Sequence, residues 1–124
     1  MTDLDALLGL CAQADADLRK RQRNAELEAQ ADAVKAATAC AERVLGPQAA
    51  AVLGEWAPVE MMDDDTLQAF VQITPNAYLR CTAHIEDGTW LELISHCPHC
   101  GHCRQERVGS LETLAVAMSN AGAR

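Results

Sequence analysis

Three cysteines and three histidines fall within nine residues, Ser95-His96-Cys97-Pro98-His99-Cys100-Gly101-His102-Cys103. Thiolates and imidazoles are the donors of a tetrahedral zinc ion. Cys97 and Cys100 stand two residues apart, the spacing of a zinc knuckle, with Pro98 and Gly101 shaping the tight turn between and after them. Cys103 follows closely enough to add a third thiolate. The fourth donor is open: His102 comes first, then His96 or His99. An alternative fourth ligand is Cys81 or His84, since Cys81-Thr-Ala-His84 also has a two-residue spacing and twelve residues separate His84 from Cys97. A regular strand over 78–86 would point Cys81 and His84 to opposite faces, so at most one of them can contribute.

A site closed by four thiolate and imidazole donors leaves no coordination position for water, so it stabilises rather than catalyses. The expected cofactor is therefore a structural zinc, and no catalytic residues are assigned. Two other chemistries use the same cysteines. Cys97 and Cys100 can act as a redox pair, although Gly101 and polar residues follow where a thioredoxin-like site would open a helix. Cys81, Cys97, Cys100 and Cys103 can ligate an iron–sulfur cluster, giving a sensor.

The elements that position these donors come from 124 residues, a length for one domain. Half of the residues are hydrophobic, yet only four are aromatic, so the core is thin and a metal staple would supplement it. The net charge of −8 favours solubility and opposes nonspecific nucleic-acid binding. No apolar run is long enough to span a bilayer and Met1-Thr2-Asp3 starts no signal peptide, so the expected location is cytoplasmic. In that compartment clustered cysteines read as metal or redox groups before disulfides.

Residues 3–45 contain no proline and only Gly9 as a breaker, which predicts one long helix capped by Thr2 or Asp3 and ended by Gly46-Pro47. Leu4, Leu7, Leu8, Cys11 and Leu18 share one face, while Leu27, Ala31, Val34, Thr38, Ala41 and Leu45 share another. Leu18 and Leu27 fall on opposite sides of a straight helix. The second stripe is expected to cover the domain and the first to form a homodimer. Cys11 and Cys40, set among alanines, read as small buried hydrophobes. Arg19-Lys20-Arg21-Gln22-Arg23 is flanked by acids at i,i+4 spacing, as in Asp15–Arg19, Asp17–Arg21 and Gln22–Glu26, and reads as a solvated face.

Pro47–Trp56 predicts a short second helix with Trp56 docked on the core, and Pro58–Asp65 an acidic loop whose Asp63-Asp64-Asp65 is a solvated turn. From Leu67 the period becomes two. Strands are expected from Leu67 to Thr74, across 78–86, from Trp90 to Ile94 and from Arg104 to Val108, with turns at Pro75-Asn76 and Asp87-Gly88. Ser110 caps a last helix with Leu111, Leu114, Ala115 and Met118 facing inward. The fold class is α+β: a long N-terminal helix, a short helix, a four-stranded antiparallel meander carrying the knuckle between its third and fourth strands, and a C-terminal helix. Residues 1–57 form a helical oligomerisation region and 58–124 a small sheet domain.

Leu45-Gly-Pro-Gln-Ala-Ala-Ala-Val-Leu-Gly-Glu-Trp56, the Ala/Arg-rich first helix, the acidic turn before Thr66-Leu67 and a hairpin ending in the Cys-rich turn together resemble an uncharacterised family of small actinobacterial and actinophage proteins, a domain of unknown function. The resemblance covers most of the chain and implies no activity. The knuckle is similar to zinc ribbons in general. The expected function is a non-enzymatic zinc-binding adaptor or regulator acting through protein–protein contacts with a partner not yet identified. The alternatives are a thiol redox or iron–sulfur sensor, and a zinc-ribbon nucleic-acid-binding regulator using Arg19–Arg23 with Arg80, Arg104 and Arg107.

Overall fold

The computed structural model describes residues 3–59 and 65–122. Helix α1 runs unbroken from Asp3 to Leu45, and Gly46, at φ 92°, ends it in a conformation that a side chain would strain. Pro47 opens the short α2 (Pro47–Val52). Five strands follow as an antiparallel sheet in sequence order: β1 (Ala57–Pro58), β2 (Thr66–Thr74), β3 (Ala77–His84), β4 (Gly88–His96) and β5 (Cys103–Val108). Helix α3 (Leu111–Gly122) follows the sheet. The α+β class and element order match the sequence reading, but the sheet has one strand more. Ala57 and Pro58 pair with Phe70 and Ala69, and Val59 donates its N–H to the Gln68 carbonyl, so the start of the expected acidic loop is an edge strand. Thr2, Asp63 and Asp64, also part of that reading, lie outside the described residues.

Register fixes the two sheet faces. Ala69 pairs with Cys81, Cys81 with Leu91, and Leu91 with Val108, so these side chains share one face, as do Val71, Leu79 and Leu93. The helices lie on this face. Ala33, Ala37, Cys40, Ala41 and Leu45 of α1, Ala117 of α3 and the docked Trp56 belong to the same buried cluster. Four of these α1 residues are alanine or cysteine, so short side chains let the helix backbone approach the sheet. Leu114 and Met118 pack at the edge, but Leu111 is half exposed and Ala115 exposed, which corrects two of the four inward positions expected in α3. Ser110 caps that helix as expected, its hydroxyl accepting the Thr113 N–H at 3.1 Å.

The other face carries Phe70, Tyr78, Arg80, Trp90, Glu92 and Arg107. Three of the four aromatic residues are therefore on the side away from the core cluster. They form a connected polar–aromatic layer. Phe70 meets Tyr78 edge-on at 5.8 Å, Tyr78 lies 6.4 Å from His96, and the Arg107 guanidinium sits 4.7 Å over Trp90. Glu92 ties the layer together, accepting Trp90 Nε1–H at 3.1 Å and pairing with Arg80 at 3.2 Å.

Two expectations for α1 are corrected. Among its described residues, every one from Asp3 to Glu28 is exposed, a projection of about 39 Å beyond the domain. Of the expected covering stripe, Ala41 and Leu45 are buried and Val34 packs at the edge of the core, but Leu27, Ala31 and Thr38 are exposed, and Ala33, Ala37, Cys40 and Val44 complete the contact in their place. This stripe stands in phase with the first leucines: Cys40 follows Leu4, and Val44 follows Leu8, by about ten whole turns. The same side of the helix that the sheet covers at one end is bare at the other. Helix α1 leaves the domain beside Ile85, where Ala29 and Asp32 line a groove with Leu67, Ala83 and His84.

Candidate metal centre

Strands β4 and β5 end in the last register pair, His96 opposite Cys103, and residues 97–102 form the turn between them. Two backbone bonds shape it. Cys97 donates its N–H to the His102 carbonyl at 2.9 Å, and its own carbonyl accepts the Gly101 N–H at 2.8 Å. Gly101, at φ 71°, occupies the left-handed region, which explains why glycine follows the second thiol. Asn76, in the β2–β3 turn, accepts the His96 N–H at 2.8 Å and anchors the base of the turn to the sheet.

The sequence-predicted donors Cys97, Cys100, Cys103 and His102 thus share one short turn. Cys97 is half-buried, whereas Cys100, His102 and Cys103 are exposed, as are His96 and His99. The donor types fit zinc. Among the described residues, however, no group of three or more His, Cys, Asp or Glu side chains is gathered about a single point where it could hold a metal. The turn brings the donors into one neighbourhood without closing them into a cage.

The alternative fourth ligands lie elsewhere. His84 pairs with Gly88 at the far end of β4, roughly 30 Å of strand from Cys97. Its Nδ1 accepts the Glu86 and Asp87 N–H groups, both at 3.2 Å, and serves the β3–β4 turn. Cys81 pairs with Leu91, roughly 20 Å of strand from Cys97, and its side chain is in the core. Strand register therefore favours a local histidine.

Cys40 is buried as expected, but Cys11 is exposed on the projecting helix, which corrects its reading as a core residue. The basic cluster is a solvated face, with Arg19 3.2 Å from Asp15 and both side chains exposed; Asp17 accepts from Gln13 at 3.1 Å. Arg80 and Arg107 lie on the polar–aromatic face, while Arg104 shares the core-side face with Glu106, to which it is ion-paired.

Sequence reasoning missed a second cysteine constellation. Cys40 of α1 and Cys81 of β3 are 1% and 2% exposed and belong to the same buried cluster. Arg43, one turn along the helix, directs Nη2 at the Cys40 sulfur at 3.6 Å and at the Thr89 carbonyl at 3.3 Å. The hydrogen bond from Cys81 and the Arg43 charge outweigh burial and lower the Cys40 pKa to about 7. The same hydrogen bond, with burial and the neighbouring thiolate, raises that of Cys81. The sequence signal was Arg43 three residues after Cys40; the partner strand carried none.

None of the described helices is long and apolar enough to cross a membrane. Compared with protein-family models, curated proteins and solved structures, the chain matches none.

Proposed function

We propose that this chain is a non-enzymatic binding module, an adaptor or regulator whose projecting helix engages a second copy or another protein. One observation carries this reading. Leu4, Leu7, Leu8, Leu10 and Leu18 are all about half exposed or more, on a helix whose other end is packed into the domain core. The segment from Asp3 to Glu28 has no tertiary cover and gains little from propensity alone, since most helical stability comes from a packed apolar face. A helix from another chain supplies that face, and a twofold pair is the commonest way to do so.

Zinc, in this reading, staples the turn between β4 and β5 through Cys97, Cys100, Cys103 and His102. Support comes from the donor set, the spacing of Cys97 and Cys100, and the glycine-dependent turn that follows them. Sedimentation of the full chain, purified without oxygen, with zinc measured on the same sample, tests both parts. A dimer containing one zinc per chain is the expected result. A monomer would refute the pairing, and a metal-free or iron-containing protein the staple.

A second reading has its own support. A sheet face with Phe70, Tyr78 and Trp90 beside Arg80 and Arg107 has the ingredients of a single-stranded nucleic-acid platform, where bases stack on aromatic rings and cations meet phosphates. The overall negative charge opposes it, so protein contact remains the principal reading.

A further inference from the structure

We propose that Cys40 and Cys81 form a peroxide-responsive thiol pair whose disulfide locks helix α1 to the sheet. The pair is independent of the knuckle, since Cys81 lies roughly 20 Å of strand away from Cys97.

Geometry is the basis. Cys40 lies on the α1 stripe that touches the sheet and Cys81 on the core-facing side of β3, and both belong to one buried cluster. Arg43 Nη2 reaches both the Cys40 sulfur and the carbonyl of Thr89, which pairs with Ala83 two residues beyond Cys81, so Cys40 lies over this part of β3. A reactive thiol needs a thiolate, a nearby cation and a resolving partner. Here Arg43 is the cation, at 3.6 Å from the Cys40 sulfur. Arg43 is itself exposed, which puts the pair one side chain below the surface and within reach of a molecule as small as hydrogen peroxide. With a pKa lowered to about 7, Cys40 is substantially ionised at neutral pH, whereas Cys81 stays protonated.

The steps balance. The Cys40 thiolate attacks one peroxide oxygen; an S–O bond forms, the O–O bond breaks, and the departing hydroxide takes up a proton to become water. Cys81 then attacks the Cys40 sulfur, forming the S–S bond as the S–O bond breaks. The leaving oxygen carries away the Cys81 proton as a second water. Two thiols are oxidised by two electrons and one peroxide is reduced to two waters. The bond joins residues 41 positions apart and fixes the angle at which the projecting helix leaves the domain. A thiol reductant reverses it.

The test is peroxide treatment of the full chain, alkylation of residual thiols in denaturant, and peptide mapping without reduction. A Cys40–Cys81 linked peptide, lighter by two hydrogens and released by dithiothreitol, is the expected product. In Cys81→Ser, dimedone should trap a sulfenic acid at Cys40. The oxidation rate should rise as pH passes through about 7 and level off above it, because the thiolate is the nucleophile. Arg43→Gln should slow the reaction several-fold at pH 7 and converge on wild type at high pH. Recovery of both cysteines alkylated, or of Cys40 linked to any other cysteine, would overturn the proposal. An unchanged rate in Arg43→Gln at pH 7 would remove Arg43 from the site.

Discussion

His96 and Cys103 face each other as the last pair between β4 and β5, so the Cys-rich turn rests on a closed ladder. Losing a metal from this turn should therefore loosen its rim before the sheet, fraying β5 from the His96–Cys103 end. Cys100→Ser should remove bound zinc and lower Tm by about 5 °C or more, an effect of roughly 1 kcal/mol in a domain of this size. Chelator should bring wild type to the same Tm, while Cys81→Ser should keep its metal. His102→Ala and His96→Ala, compared for zinc affinity, identify the fourth donor. Melting unchanged by chelator would rule out the staple.

The packing asymmetry of the sheet predicts a contrast between two large side chains. Leu79 is fully buried between Val71 and Leu93, so Leu79→Ala should cost roughly 3 kcal/mol through lost burial and a cavity. Phe70 is 36% exposed on the opposite face, where its main partner is Tyr78. Phe70→Ala should cost about 1 kcal/mol, since it forfeits one aromatic contact and little cavity energy. Urea unfolding measures both, and equal costs would mean that the outer face is covered as well.

That contrast also marks what was legible in the sequence. Alternation from Leu67 onward placed β2 and β3, because a strand with one wet face has a strict period of two. The helix stripe was harder to read. Large residues such as Leu27 dominate any apolar pattern, but beside Val34, Ala41 and Leu45 the sheet selected Ala33, Ala37 and Cys40, because close approach of a helix rewards small side chains. Two residues are too few to show a period, so β1 was invisible. The Cys-rich turn between two strands was plain from the spacing of its cysteines, whereas the burial of Cys40 and Cys81 in one cluster depends on a helix–strand crossing that no local pattern encodes.

The basic cluster and the sheet face make separable predictions about nucleic acid. Arg19, Arg21 and Arg23 changed together to Gln should leave any partner binding nearly intact, because Arg19 is already paired with Asp15 on a solvated surface. Single-stranded DNA binding, if measurable at low salt, should instead fall with Trp90→Ala and Arg107→Gln, which dismantle the stacked pair. The slope of affinity against salt discriminates: a slope reduced by the Arg19–Arg23 changes would restore the helix as a phosphate contact.

The projecting helix gives the most direct prediction. Leu4 and Leu8 are 62% and 59% exposed, yet they stand above Cys40 and Val44 on the side the sheet covers. A partner helix laid on that strip must approach from the sheet side and abut the domain near Ile85, itself exposed. Each leucine so covered gains on the order of 1.5–3 kcal/mol, enough across four of them to hold a dimer at micromolar concentration after the entropy of association is subtracted. Leu8→Asp puts a carboxylate in the middle of the strip and should yield a folded monomer with an unchanged zinc content by light scattering. Ile85→Asp should weaken the dimer less, since it touches only the rim. A wild-type monomer at high micromolar concentration would mean that α1 does not pair with its copy, and its leucines would then await a different protein.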